Sequence, residues 1–199
     1  MVDRGLLAKP DLTFAEIDYS RQLWNRSSWQ TAYRDLVVQS VDRNRAIYHW
    51  TRQREAEGLR TLVLVRSVAH GRLLEKMLKR PFIYGADDEA ARQKVVTEFK
   101  RNNRSTMIAS TIFDQGIDIP EIDALVIAGG GKSPVSTIQR IGRGMRPKVG
   151  KPNVLYVLDF ADYGNKYLLK HTKERFSEYT DQECYDISSV DVGSLVKLA

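Results

Sequence analysis

Cysteine is nearly absent from this chain. Cys184 is the single one in 199 residues, so no internal disulfide can form and a reducing compartment is expected. The three histidines, His49, His70 and His171, stand far apart without companion ligands, which argues against a zinc centre. No stretch approaches the roughly 20 apolar residues of a membrane span, and no membrane partner is expected. The first residues carry no apolar core of the kind a secretory signal needs, so a cytoplasmic setting is expected. The usual nucleotide signatures are also incomplete. Gly129-Gly-Gly-Lys-Ser133 resembles the end of a G-x-x-x-x-G-K-[ST] loop, but the first glycine would fall at Val126, inside a strand-like run. No G-x-G-x-x-G follows a strand, and no Asp-Glu pair closes one in the way that holds Mg²⁺.

Charge is plentiful and uneven. The net charge is +6 and the pI about 9.4. Residues 43–104 hold 15 Lys/Arg against 7 Asp/Glu, and residues 124–158 hold 6 bases and no acid. Residues 105–123 reverse the bias, with 4 acids and no base. Such a band suits a polyanion, nucleic acid first; over residues 43–60 it is also compatible with plain solubilising charge.

The hydrophobic rhythm alternates between strand and helix. Asp11–Asp18 reads as an edge strand after Lys9-Pro10, and residues 20–57 as helical, stopped at Gly58. Thr61–Val65 is a continuous β-rich run, the mark of a strand covered on both faces. Ser67 can cap a helix reaching about Lys79, and Asp87 or Asp88 one reaching about Arg101. Phe82–Tyr84, Ser105–Ala109, Ala124–Ala128 and Val154–Leu158 read as further strands. Pro134 suits the first turn of a short helix to Gln139, and residues 163–179 form a last helix. This spacing predicts an α/β fold, a parallel sheet flanked by helices on both faces with an N-terminal helical segment. Ligands of such sheets gather at the carboxyl ends of the strands, which is where the notable loops fall.

The most informative segment is Gln139-Arg140-Ile141-Gly142-Arg143-Gly144-Met145-Arg146. Three arginines recur every third residue with two glycines between them, and Pro147 disfavours helix at Arg146. The planar guanidinium fork fits phosphate oxygens, so these arginines suit an anion supplied from outside; a solvated basic helix end is the other reading. In Ser110–Pro120, Gly116 can take positive φ and Pro120 holds Ile119 extended, leaving Asp118 on a stiff turn. There it can accept from ribose hydroxyls or an arginine, or act as a turn-forming Asx residue. Thr111 can donate to a backbone phosphate or cap the next turn. Arg92 can meet phosphate or pair with Asp88 one helical turn away.

Taken in this order, the residues resemble the second RecA-like motor domain of superfamily 2 helicases and translocases. Gln139–Arg146 resembles motif VI, Q-R-x-G-R-x-x-R, and Ser110–Pro120 resembles motif V. Leu62–Ser67 is similar to motif IV, and Tyr84-Gly85 through Arg92 to motif IVa, although Glu89 stands where that motif usually has glutamine. The glycine turn before motif VI resembles the phage UvsW-like and XPB-like branch, and Gln139 replaces the histidine of DEAD-box proteins. The resemblance covers roughly residues 59–175.

What this implies is half of an engine. ATP and Mg²⁺ would bind between this domain and an N-terminal RecA-like domain of the same parent protein, which provides the phosphate loop and the metal-holding acids. Arg143 and Arg146 would be the catalytic arginine fingers, and Gly116, Asp118, Gln139 and Arg140 would bind ATP or couple the motifs. Ser67, Tyr84, Gly85, Arg92 and Thr111 would face DNA. The chain alone is expected not to hydrolyse ATP. The expected organisation is a linker or edge strand leaving the first motor domain (1–19), a helical lead-in (20–58), the RecA-like domain (59–180) and a C-terminal tail (181–199). The rival function is a one-lobed module that binds nucleic acid or docks on a partner without turnover.

Overall fold

A computed structural model describes residues 8–19, 28–101, 106–110, 122–131, 153–181 and 185–197. Seven strands form one sheet: β1 (Lys9–Asp18), β2 (Thr61–Val65), β3 (Phe82–Ile83), β4 (Thr106–Ser110), β5 (Ala124–Ile127), β6 (Val154–Tyr163) and β7 (Asp186–Asp191). Their order is β3-β4-β2-β5-β6-β1-β7, and every pairing is parallel. The helices are α1 (Trp29–Tyr33), running into a π-helical turn (Arg34–Val38), then α2 (Val41–Ala56), α3 (Val68–Leu78), α4 (Glu89–Lys100), α5 (Lys166–Thr180) and α6 (Val192–Lys197).

Side-chain alternation along the strands builds two cores. Leu62, Leu64, Met107, Ala109, Leu125 and Ile127 pack on one face with Val96 and Phe99 of α4 and Tyr179 of α5. Val63, Val65, Ile108, Ala124 and Val126 pack on the other with Ala46, Ile47 and Trp50 of α2 and Leu74 and Leu78 of α3. All five residues of β2 are buried, as its unbroken apolar run requires. Side-chain caps start the helices where turn residues stand: Ser67 accepts from the His70 amide and Asp88 from that of Ala91. Gly58 closes the lead-in at φ +71°.

Three expectations change. β1 is not an edge strand. It pairs over ten residues with β6 on one side and with β7 on the other. The expected tail supplies β7 and α6, so it completes the sheet. The lead-in is not one helix: the chain breaks after Val38, and α2 starts afresh with Ser40 accepting from the Arg43 amide. The Asn44 side chain holds the break by donating to the Val38 carbonyl at 2.9 Å. The helix expected at 134–139 lies outside the described residues.

Candidate nucleotide and nucleic-acid interface

Because the strands run parallel, their carboxyl ends share one rim. Arg66-Ser67 follow β2, Tyr84-Gly85 follow β3, and Ala128–Gly131 follow β5. Ser67 is half-buried, and its oxygen takes the His70 amide at 3.1 Å, leaving the hydroxyl proton to donate. Tyr84 donates its amide to Asp87 at 2.8 Å and stacks on Phe82, ring centroids 5.4 Å apart. The Arg72 guanidinium lies over both rings, at 5.5 and 5.3 Å, while paired with Glu75. Gly85 is exposed. Arg92 is half-buried on the second turn of α4, with no partner for Nε among the described residues. The alternative Asp88–Arg92 ion pair is not made among them; the Asp88 carboxylate caps α4 by accepting from the Ala91 amide.

Ser67, Tyr84 and Gly85 therefore stand on one rim, with Arg92 near the start of the helix that leaves it. Thr111, Gly116, Asp118, Gln139, Arg140, Arg143 and Arg146 lie outside the described residues. Among the described residues, no group of three or more His, Cys, Asp or Glu side chains can hold a metal ion.

Beneath the rim lies a polar network that the sequence does not advertise. Arg43, wholly buried on α2, pairs with the equally buried Asp162 of β6 and donates to the Ala128 carbonyl at 3.3 Å. Its guanidinium lies 4.2 Å from the Phe160 ring centroid. The Tyr19 hydroxyl sits between Asp162 (3.0 Å) and the Leu36 carbonyl. A second buried pair joins Arg175 of α5 to Asp159 at 2.9 Å, and Arg175 also donates to the Gly131 carbonyl at 3.1 Å. Tyr179 donates to Asp159 at 3.0 Å. Burial opposes charge on Arg43, yet Asp162 and then Tyr19 outweigh it, so its proton is held more tightly than in water. Burial, with Arg43 nearby, pushes His70 down to about 3. The neutral ring meets Asn44 Oδ1 through Nε2 at 2.9 Å, which places the proton on Nε2.

The two arginines thus hold the two ends of the Ala128–Gly131 turn. Sequence reasoning missed Arg43, Arg175, Asp159 and Asp162. The one signal was an acid twice interrupting the apolar run of β6, where isolated buried carboxylates would need cationic partners.

A helix-flanked parallel sheet with a glycine turn and basic side chains at its carboxyl rim defines a RecA-like domain. The chain belongs to the helicase conserved C-terminal domain family, whose model matches residues 41–148. It is 30% identical over 156 residues to the putative DNA 3'-5' helicase Rad25 of Haloarcula marismortui, covering 74% of this chain and 24% of that protein. It is 28% identical over 156 residues to the general transcription and DNA repair factor IIH helicase/translocase subunit XPB of Enterocytozoon bieneusi, covering 71% and 25% respectively. The crystal structure of T4 UvsW superimposes with a TM-score of 0.72 at 20% identity, over 92% of this chain and 41% of that one. The chain spans about a quarter of the length of these curated relatives.

Proposed function

We infer that this chain is the second motor domain of an ATP-dependent DNA helicase or translocase. The observation that carries the reading is the family match over 41–148, which contains motifs IV, V and VI in chain order. The position of Ser67, Tyr84 and Gly85 on a single sheet rim supports it.

In this reading ATP lies between the rim and an N-terminal RecA-like domain of the same parent protein. Among the described residues no group of acidic side chains can hold Mg²⁺, and in this reading the metal and the phosphate loop belong to that other domain. Arg143 and Arg146 reach the transferring phosphoryl group and neutralise charge that grows as water attacks it. Such arginines are worth about 10³–10⁵ in rate. Asp118 accepts from the ribose, while Gln139 and Arg140 couple motif VI to the rest of the site. Ser67, Tyr84, Gly85, Arg92 and Thr111 contact the DNA backbone without reading its sequence. The setting is cytoplasmic or nucleoid-associated.

The test is made on the 199-residue chain. Phosphate release should stay at background with and without DNA. A labelled oligonucleotide should bind weakly, with affinity falling linearly on a log–log plot against salt. DNA-stimulated turnover by the chain alone, or tight binding indifferent to salt, would sink the reading.

A further inference from the structure

The geometry points to a phosphate-binding nest at the rim, built from the Arg66 guanidinium and the amides of Gly130 and Gly131. It deepens the reading above and rests on it. The Ala128 and Gly129 amides both donate to the Leu64 carbonyl, at 2.9 and 3.2 Å, which pins the start of the turn to β2. The next two amides, of Gly130 and Gly131, donate to nothing among the described residues. Both glycines have positive φ, +50° and +134°, backbone that other residues rarely adopt. Successive free amides in such a turn form a concavity suited to an anion.

Arg66 completes it. The side chain is exposed and has no ion pair or hydrogen bond among the described residues. Its place is nonetheless shaped by the turn: a side chain on Gly129 would begin 2.7 Å from the Arg66 backbone nitrogen, and one on Gly131 would begin 2.6 Å from Arg66 Nη1. Glycine at both positions lets Arg66 lie against the turn. The buried Arg43 and Arg175 hold the Ala128 and Gly131 carbonyls, so the turn is fixed at both ends. Their charges are matched by Asp162 and Asp159, which leaves the charge of Arg66 unmatched among the described residues. Asp162 Oδ2, 3.9 Å from where a Gly130 side chain would begin, accepts no hydrogen bond among the described residues, while the charge of its carboxylate is met by Arg43 through Oδ1. The two turn amides and the Arg66 guanidinium are donors, and the one carboxylate beside them is already neutralised by Arg43, which favours an oxyanion over a cation. A phosphate meets that chemistry whether it comes from a nucleic-acid backbone or from a nucleotide.

The test follows the Gly130 and Gly131 amide resonances of the ¹⁵N-labelled full chain during separate titrations with oligothymidylate and with ATP. Movement of both amides in one titration, with affinity for that probe lowered roughly tenfold or more in Arg66→Gln, is expected from the loss of a charge-assisted hydrogen bond. The titration that responds identifies the source of the phosphate. Arg66→Gln should fold as the wild type does, and Lys94→Gln, an exposed change on α4, should bind as the wild type does. The nest is overturned if neither probe moves the two amides, or if Arg66→Gln binds both probes unchanged. Oligonucleotide binding that shifts other resonances and leaves these two still would overturn the nest and leave the helicase-domain reading standing. If oligothymidylate does not bind at all, it is the DNA-binding reading that fails, whatever ATP does at the turn.

Discussion

Replacing Arg43 with methionine should be among the most damaging single changes in the described part of the domain. Arg43 is 0% exposed and its partner Asp162 1%. Methionine fills much of the same volume but leaves the Asp162 carboxylate buried without its cation. Breaking a buried pair in this way costs about 3–5 kcal/mol. The change also strips the Ala128 carbonyl of its donor, an orphaned acceptor worth about 1–3 kcal/mol. A domain of this size has about 5–15 kcal/mol to lose, so the variant should be marginal. Its melting temperature should fall by roughly 8–32 °C. Asp162→Leu, which leaves the Arg43 charge buried without its partner, should fall similarly. Arg43→Met combined with Asp162→Leu removes both charges and should recover most of the loss, leaving only the Ala128 deficit of about 1–3 kcal/mol. Urea unfolding followed by circular dichroism, with tryptophan fluorescence as a second probe, gives all four free energies. If each single variant lies within about 1 kcal/mol of wild type, or if the losses simply add in the double variant, the buried pair does not hold the rim as described.

Acid should destabilise the domain through His70. Its folded pKa, near 3, lies below the unfolded 6.5, so the unfolded chain binds the extra proton; stability is full above about pH 6.5 and falls by up to about 1.4 kcal/mol per pH unit down to about 3. His70→Gln, which can still reach Asn44, should flatten that part of the pH–stability curve, and an unchanged slope would count against the assignment. Gly71→Ala should destabilise although alanine favours helix. The new methyl would begin 2.3 Å from the Phe82 ring, an overpacking cost of about 1–3 kcal/mol against a helix gain of about 1. Adding Phe82→Leu should restore stability, as urea midpoints would report.

Local features were legible because they depend on neighbours in sequence. The run Thr61–Val65 declared a doubly covered strand, and Ser67 and Asp88 announced their helices. Ser67, Tyr84 and Gly85 could be placed on one rim once the strands were taken as parallel. What escaped notice depends on distant partners. β1 pairs with a strand some 145 residues further on, and nothing in Lys9–Asp18 names it. Asp159 and Asp162 made the strand of Val154–Leu158 look finished, whereas β6 continues through both because Arg175 and Arg43 neutralise them. Arg43 itself read as one more base in a solubilising band. The sequence Asp186–Asp191 is short and polar, and it becomes a strand only because β1 offers it an edge. Arg66 was passed over because its significance lies in two glycines more than sixty residues away.

The central claim is that this domain completes an ATP site with arginines while its rim holds DNA. It is tested most directly by DNA-stimulated phosphate release and DNA binding in a protein that joins this chain to an N-terminal RecA-like domain. Arg143→Ala and Arg146→Ala should each lower turnover by about 10³–10⁵ with DNA affinity little changed, and lysine at either position should not rescue it, since an ammonium lacks the planar fork. Thr111→Ala should do the reverse, weakening DNA binding modestly while basal hydrolysis is largely kept. Arginine variants that abolish DNA binding yet turn over ATP normally would contradict the account and make the segment a plain polyanion patch.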